Sequence, residues 1–300
     1  MSQHTAAPSL RANAPFIVAA LLVLDSLHFV FARMLLPHLP PVVSVMFVMS
    51  IATLEMAVVL GIRGEIQLSL FRQNWRFFLV IGLLVAGSTN VTYTAVAYID
   101  PGTAAMLAQT STLFSLGLGI LWLRERLDKV EAFGAASALL GVFVISFQHG
   151  DYLRVGSLLI LASTFMYALH TAVVKRSGSQ MPFANFFLFR VGSIAAISTL
   201  FAFGSGKLVW PEPTAWLLLI VVATVDVVIS RTLYYISLRR LRMSALAVIL
   251  TLSPAITIIW SALLFDSRPT PQALIGGAAV IGGVSLLAAR RKQPAAIGAN

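Results

Sequence analysis

Ten stretches of the chain carry almost nothing but apolar side chains: residues 15–36, 42–62, 77–99, 101–123, 130–147, 155–174, 183–204, 214–238, 243–265 and 270–289. Each approaches the ~20 residues that a helix rising 1.5 Å per residue needs to cross ~30 Å of hydrocarbon. The runs are continuous and lack the period-two alternation of lipid-facing strands, so they predict helices and not a barrel. Short polar segments separate them, and the Asp100-Pro101-Gly102 turn divides the third run from the fourth. The first run follows Arg11 as the core of a signal peptide would. It is 22 residues long, however, holds Asp25 and His28, and ends in Pro37 and Pro40-Pro41 without a small-residue cleavage site, so a retained helix is expected. The pattern predicts an all-α membrane protein: a tail over 1–14, five helices over 15–147, five more over 155–289, and a basic tail over 290–300.

Composition sharpens this picture by exclusion. Hydrophobic residues make up 58% of the 300 and charged residues 11%, less than half the quarter or so that a soluble domain carries. The absence of cysteine excludes disulfides, thiolate metal sites and a Cys nucleophile. The net charge of +10 would suit nucleic acid, but its placement argues otherwise. With the N-terminus inside, the inner segments hold 15 basic residues: Arg11, Arg63, Arg72, Arg76, Arg124, Arg126, Lys129, Lys175, Arg176, Arg239, Arg240, Arg242, Arg290, Arg291 and Lys292. The outer loops hold three: Arg154, Lys207 and Arg268. This is the bias of inner membrane loops and predicts both termini cytoplasmic.

The chain also resembles itself. At an offset of 142 residues Tyr93 falls on Tyr235, Ser111 on Ser253, Arg126 on Arg268, Gly134 on Gly276, Gly141 on Gly283 and His28 on His170. Each half holds five runs, an odd number, so the second half is expected to enter the membrane from the opposite side. Inverted-topology repeats characterise secondary transporters, which place substrate near the midplane between the repeats.

The residues Arg124-Glu125-Arg126 followed by Gly134 and Gly141 resemble the hallmark of the drug/metabolite transporter superfamily, in its EamA-type ten-helix branch. The whole chain is similar to bacterial aromatic amino acid exporters of that branch. The second copy departs from the pattern, reading Asp266-Ser267-Arg268 where the family often repeats its Glu. The resemblance implies eight helices, one to four and six to nine, around a central cavity, with five and ten at the periphery. It also implies a bacterial inner-membrane location. Runs five and ten carry no charge in their interior and are rich in Gly and Ala, so Gly276-Gly277 and Gly282-Gly283 read as packing faces.

Ionisable groups inside spans are costly and need a partner or a cavity. Six lie deep: Asp25, His28, Glu55, Arg190, Asp226 and Arg231. Arg33 and His170 lie nearer the span ends and are expected to snorkel. Glu55, Arg190 and Arg231 share a depth of roughly 10 Å from the inner face, which predicts an ion pair between Glu55 and one of the arginines. Such a pair serves either as a static tie or as an inner gate. Asp25 and Asp226 lie near the midplane. Each is a candidate for holding a substrate ammonium or a coupling proton, against the alternative of a structural hydrogen bond, for Asp25 to His28 one turn away. Asn90, Tyr93, Gln109, Ser111, Tyr167, Tyr234, Tyr235, Ser253, Pro254 and Trp260 complete the candidate substrate site. Pro254 is expected to kink the ninth span.

No Gly-rich phosphate loop, Gly-x-Ser-x-Gly elbow or His-Glu-x-x-His occurs, so no enzyme, cofactor or metal is expected. The expected function is secondary transport: export of small amphipathic metabolites, above all aromatic amino acids, by alternating access. The substrate class comes from the resemblance, and proton coupling stays open. A multidrug or cationic-compound exporter of the same superfamily is the second reading. A membrane enzyme or a channel is a third, of another class.

Overall fold

A computed structural model describes residues 14–123, 129–146, 155–177, 181–240 and 250–290. They form helices joined by short turns, with no strand among the described residues. The helices are α1 (Ala14–Ser26), α2 (His28–Leu35), α3 (Pro41–Ile62), α4 (Leu68–Gln73), α5 (Trp75–Ala95), α6 (Pro101–Ala108), α7 (Ser111–Leu123) and α8 (Lys129–Ser146). There follow α9 (Val155–Ser177), α10 (Phe183–Gly204), α11 (Pro213–Val222), a π-helical stretch Ala223–Ile229, α12 (Ser230–Arg240), α13 (Ser253–Phe265) and α14 (Pro271–Arg290). Six segments are long and apolar enough to cross a membrane: Phe16–Leu35, Pro41–Ile62, Trp75–Ala95, Val155–Val174, Phe183–Gly204 and Pro213–Tyr234. Ser253–Phe265 and Pro271–Leu287 are shorter apolar helices. The protein is therefore a multi-pass helical membrane protein.

Helix starts follow local chemistry. Pro41, Pro101, Pro213 and Pro271 sit in first turns, where a missing N–H costs nothing. The Asp100 carboxylate accepts from the Thr103 backbone N–H (2.8 Å) and hydroxyl (2.5 Å), so the Asp-Pro-Gly turn works as a helix cap. The segment between α3 and α5 contains a one-turn helix, α4, that the apolar runs do not announce. It is tied down by Asn185 of α10, whose Oδ1 accepts from Gln67 N–H (2.8 Å) and whose Nδ2 donates to the Glu65 carbonyl (3.0 Å).

Four of the expected continuous spans are interrupted. The first breaks at Leu27, the fourth at Gln109-Thr110 and the ninth at Thr251-Leu252, while the eighth widens into the π stretch around Asp226. At Gln109-Thr110 the backbone tightens to i−3 bonds, from Gln109 to Met106 and from Thr110 to Leu107. The breaks in the fourth and ninth spans are 142 residues apart, the spacing of the internal similarity. The break in the ninth span lies where Pro254 leaves the Leu250 carbonyl without its helical donor, and Gln109 Nε2 donates to that carbonyl instead (3.4 Å). Pro254 itself occupies the first turn of α13, where its missing N–H costs nothing.

The tightest packing is α8 against α14, running antiparallel. Gly134 lies against Gly283 and Gly141 against Gly276, and the Ser137 hydroxyl donates to the Ala279 carbonyl (3.3 Å). These contacts exchange equivalent positions of the two halves: Gly134 meets the counterpart of Gly141, Gly141 meets that of Gly134, and Ser137 meets its own. A Cβ on Gly141 would run into the Gly276 carbonyl oxygen and the Val280 backbone nitrogen, whereas Gly282 faces open space. Of the four glycines expected to pack in the last span, Gly276 and Gly283 meet the partner helix, Gly277 lies against Met106, and Gly282 does not pack.

This geometry sets a stability test. Gly141→Val should destabilise the protein by roughly 1–3 kcal/mol, the usual cost of overpacking a close interface. Gly282→Ala should leave the midpoint of thermal unfolding in detergent unchanged. Equal midpoints for both variants and the parent would mean that the glycine contact does not hold the two helices.

Candidate functional site

A cavity of about 350 Å³ lies inside the bundle. Its walls come from α1, α2, α3, α5, α6, α7, α9, α10, the π stretch, α12 and α13 with Leu250 just before it, and among the described residues none of the lining belongs to α8 or α14. The glycine-paired helices thus pack outside the cavity, and the volume suits a small metabolite.

Two charge pairs join the first span to the eighth. Nδ1 of His28 donates to Oδ2 of Asp226 at 2.8 Å, and Asp226 is only 2% exposed. The other oxygen of Asp226, Oδ1, is buried with no hydrogen-bond partner among the described residues. Arg231 Nη1 lies 3.4 Å from Oδ1 of Asp25, and the Ser253 hydroxyl donates to Oδ2 of Asp25 at 3.3 Å. The first pair is short and buried on the Asp226 side. The second is long, and both of its side chains keep about a quarter of their surface (24% and 23%) exposed. A long, partly hydrated pair is the easier of the two to part.

The Asp25–His28 hydrogen bond weighed from the sequence does not form. The chain breaks at Leu27, between these residues, and the imidazole is spent on Asp226. The expected pairing of Glu55 with Arg190 or Arg231 does not form either. Oε1 of Glu55 lies 2.7 Å from the Thr224 hydroxyl at the π stretch, Arg231 is turned to Asp25, and Arg190 Nε donates to Nε2 of His170 at 3.4 Å. Equal depth does not bring side chains together when they point to different sides of their helices. His170 does not snorkel: it is buried, with its ring 5.2 Å from that of Tyr167. Arg33 donates to the Val96 carbonyl.

Of the candidate substrate residues, Asp25, His28, Gln109, Ser111, Tyr167, Asp226, Tyr234, Ser253 and Pro254 line the cavity, together with Arg190 and Arg231. Asn90 does not line it, and its Nδ2 donates to the Ala86 carbonyl one turn back (2.8 Å). Tyr93 lies behind the wall, fully buried, with its ring edge-on to His28 at 6.3 Å. Trp260 is also outside the lining, its indole nitrogen buried without a partner. The Tyr235 side chain and the Arg124-Glu125-Arg126 motif lie outside the described residues.

A wall of hydroxyls was missed. Ser88 and Thr92 of α5 meet Ser163 of α9: the Ser88 and Ser163 hydroxyls are 3.1 Å apart, and those of Thr92 and Ser163 are 2.5 Å apart. Ser163 also donates to the Ser88 carbonyl at 3.0 Å. Thr110 and Thr164 meet at 3.2 Å beside them. Single Ser and Thr residues in apolar runs are common, so only the crossing of α5 with α9 singles these out. Among the described residues no group of His, Asp and Glu is arranged to hold a metal ion.

Comparison with known proteins gives this arrangement a family. The chain matches the EamA-like transporter family twice, over residues 14–147 and again over 154–289. It is 27% identical over 190 residues to the uncharacterized transporter YdfC of Bacillus subtilis (strain 168), a match covering 62% of each chain. It is 28% identical over 102 residues to an uncharacterized transporter in the sor 3'region of Acidianus ambivalens, covering 34% of this chain and 40% of that one. The chain thus spans less than two thirds of the length of either relative. A solved crystal structure matches the fold with a TM-score of 0.65 at 19% identity, covering 92% of this chain and 96% of that one. The two family matches together span nearly the whole chain, and the protein belongs to the EamA-like transporter family, within the drug/metabolite transporter superfamily.

Proposed function

We propose that the protein is a secondary transporter that exports small amphipathic metabolites, amino acids and above all aromatic ones, across the inner membrane by alternating access. Family membership and transporter-named relatives support transport of small molecules and not an enzymatic role. The observation that carries the finer reading is the mid-bundle cavity, which holds acidic groups, tyrosines and hydroxyls together. Asp25 and Asp226 supply negative charge for a substrate ammonium. Tyr167 and Tyr234 offer aromatic faces for its side chain. The unpartnered Oδ1 of Asp226 has a lone pair to give to an ammonium or a proton.

Ten spans in two inverted five-helix repeats account for the antiparallel exchange of equivalent contacts between α8 and α14. They also account for the breaks at 109–110 and 251–252. Rocking one repeat against the other would open the cavity to each side in turn. Because α1 and α2 belong to one repeat and the π stretch to the other, that motion acts on the two charge pairs between them.

Radiolabelled L-phenylalanine flux into proteoliposomes, with and without a pH gradient, tests the substrate and the coupling. Asp226→Asn keeps the shape of the side chain and should reduce flux at least tenfold, with the unfolding midpoint held within a few degrees of the parent. Loss of folded protein together with flux would assign Asp226 a structural role instead.

The same buried carboxylate makes a stability prediction. His28→Leu removes the imidazole partner of Asp226 and should cost about 3 kcal/mol, as breaking one side of a buried pair does. Replacing both residues with leucine should recover most of that loss in thermal unfolding. An unchanged midpoint in the single variant would show that the pair is not energetically coupled.

Topology is tested with single cysteines, against a background without native ones. Thiols at Arg72 and Arg239 should react from the cytoplasmic side, and a thiol at Glu212 from the outside. A periplasmic report from position 239 would overturn the ten-span arrangement.

A further inference from the structure

We infer that Arg190 is the carboxylate anchor of the cavity, so that the transported molecule must carry an organic acid group. This deepens the transport reading above and rests on it for the nature of the ligand, though not for the existence of the anchor.

The argument starts from the accounting of charge. Asp25 is engaged by Arg231 and Ser253, and Asp226 by His28. Glu55, the acid of α3 and the natural candidate to neutralise a base on α10, lies instead against Thr224. The helices packed most closely on α10 are α3 and α5, and α5 brings no acid. Among the described residues no carboxylate reaches Arg190. Its one hydrogen bond there is from Nε to Nε2 of His170, at 3.4 Å. A nitrogen that accepts belongs to a neutral imidazole, which orients the guanidinium but cannot balance its charge.

Arg190 is nonetheless 6% exposed and lines the cavity. A guanidinium cannot shed its proton, and in an apolar bundle its charge demands an anion or water. Its two terminal nitrogens make no hydrogen bond with any described residue. They form a planar fork matched to the two oxygens of a carboxylate.

The duplication supplies an independent argument. At the offset of 142 the counterpart of Arg190 is Val48, fully buried in α3. The scaffold position is therefore satisfied by a hydrophobe in the first half. A charge there in the second half is an addition, and packing does not call for it. Among the described residues two arginines line the cavity, and with Arg231 committed to Asp25 the Arg190 guanidinium fits a monoanionic carboxylate better than a doubly charged phosphate.

The anchor separates two otherwise similar ligands. An amino acid presents its carboxylate to Arg190, and a purely cationic compound presents nothing to it. Isothermal titration of the purified protein in detergent tests this with 3-phenylpropionate, 2-phenylethylamine, L-phenylalanine and L-phenylalaninamide. In the wild type, 3-phenylpropionate should bind, and the amide should bind at least tenfold more weakly than L-phenylalanine. Arg190→Gln should weaken 3-phenylpropionate at least tenfold while leaving 2-phenylethylamine within twofold. Arg190→Lys, which keeps the charge but not the fork, should fall between.

The wild-type comparison needs no variant, so it stands even if Arg190→Gln fails to fold. Equal binding of the amide and the acid, no carboxylate binding by the wild type, or undiminished 3-phenylpropionate binding in a folded Arg190→Gln would each overturn the anchor. Carboxylate binding through Arg190 without L-phenylalanine flux would leave the anchor standing and remove the amino-acid reading. Flux that survives Arg190→Gln unchanged would do the reverse.

Discussion

Charge inside an apolar bundle is tolerated only where it meets an opposite charge, a dipole or water, and that constraint organises the interior of this protein. The ionisable groups of the spans are shared out between helices. His28 goes to Asp226, Arg231 to Asp25, Glu55 to a hydroxyl and Arg190 to an imidazole. Two of these links join α1 and α2 to the π stretch and α12, so the same bonds that satisfy the charges hold the first span to the eighth. The space left between them is the cavity. Site and fold therefore share one set of interactions.

Interrupted helices make this sharing feasible. A continuous helix satisfies its own backbone and offers only side chains to a cavity. Breaks at 27, 109–110 and 251–252 and the π stretch at 223–229 free backbone groups and re-aim the residues beside them. Asp25 and His28 flank the first break, Gln109 and Ser111 the second, Ser253 the third, and Asp226 lies within the π stretch. The cavity is lined in large part by residues at these irregular points. A rigid outer pair, α8 and α14, locked glycine against glycine, packs apart from it and contributes nothing to its walls.

The two halves of the chain differ where the chemistry is. Packing positions repeat at an offset of 142, as with Gly134 and Gly276 or Gly141 and Gly283, because both copies must satisfy the same close crossing. The charges that line the cavity do not repeat: Arg190 corresponds to Val48, Asp226 to Leu84 and Arg231 to Thr89. The His28 and His170 counterparts survive in both copies, yet one faces a carboxylate and the other a guanidinium. An asymmetric ligand held between two related halves calls for this kind of departure.

Hydrophobic run length by itself determined that the chain is a multi-pass helical membrane protein, since the thickness of hydrocarbon sets the length of helix required. The offset of 142 was likewise legible, because it reappears in the exchanged contacts of α8 with α14. Direction around the helix was not. Each break or π turn resets the phase of every residue beyond it, so Asp25 and His28, one turn apart in sequence, serve different partners 206 and 198 residues away. Glu55 and the arginines, alike in depth, do not meet. The hydroxyl wall of Ser88, Thr92 and Ser163 depends on two helices crossing, which no single run encodes. Which acid neutralises which base, and which base is left over, was decided only by tertiary packing, because that outcome depends on geometry between distant segments and not on the spacing within any one of them.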